Sequence, residues 1–354
     1  MIGSGTAAGL AAELAELTKG GERRPGVALM GLGLYSRGEL APAFEHTKLC
    51  RFAGVITGSR EKGLKWSQHH GFPEKNIWTY ESMHEIAGNP DIDIVYVVTP
   101  NGLHAEHTVK AAQAGKHVIC EKPMANTVAE CDAMLSACAR SRVQLSIGYR
   151  LHYDPFHIEL DRLAREKDFG TLNKLSGEHS WTFRDRAWRI EKALSGGGPL
   201  MDVGIYVIQA ACRAAMAQPI AVTARELPKS RPDLFNEVEE TIEWSMEFPG
   251  GVTCDASSSY NRNANNFRAE GAKGWIAFDP AYAYRGIEVD TSRGRLAYPQ
   301  VPQQALHMDD FASCILTGRK TPVSGLMGRD HMVIIEAIYR SAAEGGRRVA
   351  IPQA

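Results

Sequence analysis

Four apolar residues, Val27-Ala-Leu-Met30, run directly into Gly31-Leu-Gly33-Leu-Tyr-Ser36. A buried strand that ends in a G-x-G turn constrains the fold more than any other feature of this chain. The first glycine permits a tight reversal, the second lets the main chain approach a phosphate group, and a helix starting there offers N–H groups with no intrahelical acceptor. Ser36 stands where a third glycine usually allows helix and strand to pack closely, and its side chain is small enough to keep that contact. The alternation continues with Phe52-Ala-Gly-Val-Ile56, Ile94-Val-Tyr-Val-Val98, Val118-Ile-Cys120 and Gln144-Leu-Ser-Ile147, short strands separated by helical stretches such as Thr127 to Arg140. Such alternation implies βαβ units, a parallel sheet with helices on both faces, and a ligand crevice at the carboxyl ends of the strands.

Beyond Gly148 the texture changes. A helical stretch from Pro155 to Lys167 precedes Leu172 to Phe183, Glu239 to Phe248, Gly251 to Tyr260 and Gly274 to Phe278, which contain period-two segments joined by turns such as Pro249-Gly-Gly251. These predict a large, mainly antiparallel open sheet. A helix carrying Asp202 and Tyr206 is inserted early, and helices near Gln304 to Leu316 and Arg329 to Ala343 close the chain. The expected organisation is an arm over 1–24, an α/β Rossmann-type, doubly wound domain over 25–150, and an α+β domain over 151–354. Helices on one side of the second sheet would leave its other face apolar and open to a second copy, giving a homodimer or a tetramer.

Lys and Arg number 40 against 41 Asp and Glu, so the net charge of -1 supplies no field for nucleic acid or an anionic membrane. A small neutral partner is the better expectation. Seven cysteines without a C-x-x-C pair read as reduced, buried thiols, which suits the cytoplasm. Residues 1–24 lack a basic start and carry Glu13 and Glu16 within their apolar run, unlike a secretory signal. A periplasmic site would require that a leader has been removed. The same residues read equally as a capped helix with a Lys19-Gly-Gly21 hinge or as a disordered terminus. His104 and His107 share a helix face but have no further partner at metal-ligand spacing, so no metal is expected.

After the second strand the acid that would grip an adenosine 2'-hydroxyl is missing, and Thr57-Gly58-Ser59-Arg60-Glu-Lys62 stands there instead. Hydroxyls and cations at that point favour a 2'-phosphate, hence NADP(H) over NAD, although Ser59 also reads as a simple helix N-cap. Thr99-Pro100-Asn101-Gly-Leu103-His104 and Cys120-Glu121-Lys122-Pro123 fall at the mouths of later strands, where a parallel sheet delivers side chains to its ligand.

Gly31-x-Gly33, Thr99-Pro-Asn-Gly-Leu-His104 and Ala114-Gly-Lys-His-Val-Ile-Cys-Glu-Lys-Pro123 together resemble the glucose-fructose oxidoreductase family, of the Gfo/Idh/MocA type. Gly148-Tyr-Arg-Leu-His-Tyr-Asp-Pro155, Trp188-Arg189, Ser195-Gly-Gly-Gly-Pro-Leu-Met-Asp-Val-Gly-Ile-Tyr206 and Ala256-Ser-Ser-Ser-Tyr260 extend the resemblance over about residues 25–345. It implies two domains, with the nicotinamide ring held against the second domain's sheet, and a dimer through that sheet. It also implies catalytic roles for Lys122, Asp202 and Tyr206. Cofactor contacts are implied at Gly31, Leu32, Gly33, Leu34, Tyr35, Thr57, Gly58, Ser59, Arg60, Lys62, Tyr80, Thr99, Pro100, Asn101, Leu103, His104, Glu121, Lys122, Arg150, Trp188, Arg189 and Tyr284.

Oxidising a cyclic sugar at C1 requires removal of the hydroxyl proton as hydride leaves. A phenol titrates near pH ~10 when unperturbed, so a base role for Tyr206 calls for a neighbouring ammonium, and Lys122 is the candidate. Asp202 either orients a sugar hydroxyl or holds that lysine. Tyr149, Arg150, Tyr153 and Tyr260 are candidate sugar contacts. The expected activity is oxidation of an aldose to its lactone and reduction of a second sugar to the alditol on a tightly bound NADP. An aldose 1-dehydrogenase with exchangeable NADP and a non-catalytic NADP-binding regulator are the alternatives.

Overall fold

The computed structural model describes residues 23–184 and 187–353. The arm expected over 1–24 lies, except for its last two residues, outside the described residues. The chain forms two compact units. The first takes in the residues up to Ala125, Ala129–Tyr153 and Pro302–Arg329; the second takes in Asn126–Val128, Asp154–Val301 and Asp330–Ala354. A single cut after residue 150 therefore does not describe the chain, because a late helical segment returns to the first unit.

In the first unit Gly26–Met30 (β1), Arg51–Ile56 (β2), Ile77–Trp78 (β3), Ile94–Val97 (β4), His117–Cys120 (β5) and Leu145–Ile147 (β6) form one parallel sheet in the order β3-β2-β1-β4-β5-β6. The strands are mostly apolar because both faces are covered: Val27, Ala28, Leu29 and Met30 are all fully buried. The strand order reverses between β1 and β4, which places the ligand crevice at their carboxyl ends. The helix Gln303–Thr317 belongs here for two reasons. Met308, Phe311 and Ala312 join the core formed by Leu29, Tyr96 and Ile119. Its Asp309 carboxylate also accepts hydrogen bonds from the main-chain N–H groups of Lys48, Leu49 and Cys50 at 2.7, 2.8 and 3.3 Å.

The second unit is built on a nine-stranded sheet made of Leu172–Ser180 (β7), Ala221–Glu226 (β8), Thr241–Glu247 (β9), Thr253–Ser259 (β10), Ala264–Gly271 (β11), Gly274–Phe278 (β12), Val289–Thr291 (β13), Gly294–Arg295 (β14) and Val349–Ala350 (β15). Their order is β14-β13-β12-β11-β7-β10-β9-β8-β15, antiparallel except where β7 pairs with β10. The helix Ile205–Ala215 packs on β7 and β11.

The other face is not the apolar surface expected from sequence. Along β9 the buried Ile242, Trp244 and Met246 alternate with partly exposed Glu243, Ser245 and Glu247. Ion pairs cross the open face between Lys174 and Asp255 at 2.8 Å, between Arg225 and Glu243 at 2.7 Å, and between Arg348 and Glu247 at 2.7 Å. They border a shallow depression lined by Ser176, Thr223, Ser245 and Ser257. All seven cysteines are free and buried. Among the described residues no helix is long and apolar enough to cross a membrane.

Candidate functional site

The turn after β1 is built from main-chain contacts. Gly31 has φ of +100°, and a Cβ there would stand 2.9 Å from the Val98 carbonyl oxygen. Its N–H donates to the Ile56 carbonyl at 3.0 Å, and the buried Ser36 hydroxyl donates back to the Gly31 carbonyl at 2.6 Å. Ser36 thus does more than permit packing: it ties the following helix to the turn. Leu32 is buried and Tyr35 half-buried, whereas Leu34 is 79% exposed and nothing lies within 4 Å of a Cβ placed on Gly33. The crest of the turn is open.

After β2 the Thr57 N–H donates to the Trp78 carbonyl at 2.9 Å. Ser59 caps the helix Arg60–His70 by accepting from the Lys62 N–H at 3.3 Å, and Arg60 and Lys62 are exposed. Glu61, the acid of this stretch, pairs with Lys65 at 2.7 Å. Tyr80 flanks Gly58, where a Cβ would meet its ring at 3.4 Å, and stacks on His107 with centroids 5.1 Å apart.

At the ends of β4 and β5 two predicted cofactor residues turn inward. His104 is buried with one ring nitrogen 2.8 Å from the Thr99 carbonyl and the other 2.9 Å from the Pro123 carbonyl, so it joins two loops and does not present its ring to a ligand. Burial pushes its pKa down. The neighbouring His107 meets the Thr99 hydroxyl at 3.0 Å, and burial lowers its pKa to about 4. Glu121 accepts from the Tyr96 hydroxyl at 2.7 Å and from the Lys122 N–H at 3.2 Å, and burial pushes its carboxyl up. Its carboxylate is therefore a support beneath Lys122, which is half-buried. Asn101 is buried, with Pro100 and Leu103 half-buried beside it.

The three candidate sugar contacts after β6 are engaged within the first unit. The Tyr153 hydroxyl donates to Asp310 at 2.7 Å and its ring stacks on His307 at 5.1 Å. The Arg150 guanidinium donates to the Gln303 side chain, and Tyr149 is buried with its ring near His152. Arg150 and Tyr153 thus fasten the helix Gln303–Thr317 to the end of β6.

In the second unit Asp202 lies on a π-helical turn, Leu200–Gly204, and Tyr206 on the helix that continues it. The Asp202 carboxylate accepts from the Trp181 indole N–H at 3.1 Å and the Tyr260 hydroxyl at 3.0 Å, and the Arg189 guanidinium lies 3.4 Å away. Tyr206 meets His179 and Tyr282, with ring centroids 5.3 and 5.7 Å away. His179 and Trp181 are two residues apart, so Tyr206 and Asp202 meet the same side of the β7 segment. Tyr260, expected against the sugar, is fully buried with its hydroxyl committed to Asp202. Arg189 lies over the Trp188 ring at 4.6 Å and pairs with Asp202, while Tyr284 is exposed.

The glycines before Asp202 are required by close approach. A Cβ on Gly197 would stand 1.9 Å from the Tyr339 hydroxyl oxygen. Buried Glu239 accepts from the N–H groups of Gly198 and Leu200 at 2.9 and 3.1 Å and from that hydroxyl at 2.9 Å. Burial pushes its carboxyl up. Period-two reading of β7 could have found Trp181 and His179; no local signal marks Glu239 or Tyr339.

An oxidoreductase family with an NAD-binding Rossmann fold matches residues 26–149, and the GFO/IDH/MocA C-terminal domain matches residues 157–277. The crystal structure of aldose-aldose oxidoreductase from Caulobacter crescentus, complexed with glycerol, shares 40% identity, covering 93% of this chain and 100% of that one, with a TM-score of 0.89. The chain belongs to the GFO/IDH/MocA oxidoreductase family. Among its relatives, D-xylose 1-dehydrogenase (NADP(+)) of Haloarcula marismortui is 27% identical, over 89% of this chain and 90% of its own. Levoglucosan dehydrogenase, complexed with NADH and levoglucosan, shares the fold at 22% identity with a TM-score of 0.80, covering 94% of this chain and 100% of its own.

As a GFO/IDH/MocA oxidoreductase the chain carries an NAD(P)-binding Rossmann domain, and the residues present fit that cofactor. Gly31 makes the tight turn that a Cβ would force off the Val98 carbonyl, Gly33 has open space, and hydroxyl and cationic donors cluster after β2. Among the described residues no group of three or more His, Cys, Asp or Glu is arranged to hold a metal ion.

Proposed function

We propose that this protein is an NADP-dependent aldose-aldose oxidoreductase. It oxidises a cyclic aldose at C1 to the lactone and reduces the open-chain carbonyl of a second sugar to the alditol, retaining its cofactor between the two half-reactions. The observation that carries this reading is the fixed Asp202 carboxylate one helical turn from Tyr206, in a chain 40% identical to an aldose-aldose oxidoreductase.

When bound, the nicotinamide accepts and returns hydride. Gly31, Leu32, Gly33, Leu34 and Tyr35 receive the pyrophosphate, while Thr57, Ser59, Arg60 and Lys62 with the Tyr80 ring receive the adenosine 2'-phosphate. As the phenolate, which the Lys122 ammonium favours, Tyr206 takes the C1 hydroxyl proton and becomes the phenol, then returns that proton in the second half-reaction. Asp202 accepts a further sugar hydroxyl and so orients the ring. Trp188 and Arg189 form a strap beside this site. Two copies pair through the ion-paired open face of the second sheet, and the buried free thiols suit a reducing compartment such as the cytoplasm.

The test is to incubate purified protein with single aldoses and no added cofactor. Equimolar aldonate and alditol are expected. Turnover only with added NADP, releasing stoichiometric NADPH, would instead establish an exchanging aldose 1-dehydrogenase, the reading that the likeness to D-xylose 1-dehydrogenase favours.

A further inference from the structure

The carboxylate of Asp202 is gripped from three elements at once. Trp181, just beyond β7, donates its indole N–H to Oδ2 at 3.1 Å; Tyr260, just beyond β10, donates its hydroxyl to the same oxygen at 3.0 Å; Arg189 approaches Oδ1 at 3.4 Å. We propose that Trp181 and Tyr260 are positioning residues that hold Asp202 as a fixed anion aimed at the substrate. The inference rests on the reading that Asp202 faces the sugar.

The two neutral donors differ from the cation beside them. An indole N–H can only donate, and a rigid ring with two side-chain torsions loses little freedom in being fixed. Trp181 stands edge-on to Phe183 and Tyr260, with centroids 5.1 and 5.5 Å apart, and the Tyr260 carbonyl accepts from Arg231 at 2.6 Å. Arg231 is itself paired with buried Glu240 at 2.8 Å. Burial, and then the charge of Asp202, push the Tyr260 phenol well above its usual range, so it remains a donor. Among the described residues, the charged and titratable groups around this carboxylate include Arg189 on the strap, Tyr260 at the end of β10 and, beyond Tyr260, Glu239 before β9; Tyr206 lies one helical turn away. Hydrogen bonds to a carboxylate favour the anion, so losing either donor raises the pH at which Asp202 takes up a proton.

The variants Trp181→Phe and Tyr260→Phe each keep a ring and delete one donor. Each is expected to lower kcat/KM about tenfold and to move the acid limb of its pH profile up by about one unit, with NADP affinity unchanged. The same shift is expected in the carboxyl carbon titration of Asp202, followed by NMR on the whole protein. A limb and a titration that stay in place, with any loss equal at all pH values, would overturn the inference. Thermal unfolding of both variants identifies a failure to fold, and the second variant then decides. A wild-type protein that turns over no aldose removes the functional reading while the NMR titration still tests the grip on Asp202.

Discussion

The crevice of the first unit is shaped by main-chain atoms, whereas the Asp202 carboxylate of the second is held by side chains. Gly31 is wedged against the Val98 carbonyl and bonded to that of Ile56, and His104 spans the carbonyls of Thr99 and Pro123. Asp202 depends on an indole, a phenol and a guanidinium, and the turn beneath it on the Glu239 carboxylate. A site made of main chain tolerates changes of side-chain chemistry but not an added Cβ. A site made of side chains behaves in the opposite way, losing function to the removal of one atom while the fold survives.

The largest effect that bears on this contrast is expected from Tyr206→Phe. Deleting one oxygen should lower kcat by about a hundredfold to ten-thousandfold while NADP titration by fluorescence is unchanged. Gly31→Ala should do the reverse in kind, weakening NADP about a hundredfold or more and destabilising the fold by about 2 kcal/mol, read by chemical denaturation. Equal cofactor affinity in this variant would break the contrast.

Acid should act next. Burial lowers the pKa of His107 to about 4, of His307 to about 3 and of His331 to about 4. Between the unfolded value of about 6.5 and these folded values the unfolded chain binds protons that the folded chain refuses, so stability is lost as the pH is lowered, by up to about 1.4 kcal/mol per unit for each histidine. Urea midpoints at several pH values between neutrality and about pH 4 measure this slope, and His307→Gln should flatten it. The smallest effect is expected from Ser36→Ala, which removes the hydroxyl bond to the Gly31 carbonyl. About 1 kcal/mol is expected, seen as a modest rise in the NADP dissociation constant.

The first sheet was legible because strands buried on both faces are continuous apolar runs; Ile77–Trp78 escaped because two residues make no pattern. In the second sheet, Ala264–Gly271 escaped because Asn265, Asn266 and Arg268 dilute the apolar positions. The polar open face could have been read from Glu243, Ser245 and Glu247, whose alternation already contradicts an apolar surface. Motif positions at strand ends were legible, but the direction of their side chains was not. Glu121 turns to Tyr96, and Tyr153 to Asp310, a partner 157 residues away. Tertiary partners at such separations leave no local trace, and the same holds for Glu239 beneath Gly198.

The return of Gln303–Thr317 to the first unit has a consequence for the order of assembly on the ribosome. The first sheet to be synthesised lacks Met308, Phe311 and Ala312 for its core, and Asp309 for the turn at Lys48–Cys50, until most of the chain has emerged. A nascent chain ending at residue 150 would hold its strands with an apolar patch uncovered, a natural client for chaperones. The nucleotide-binding half is thus made first and finished late.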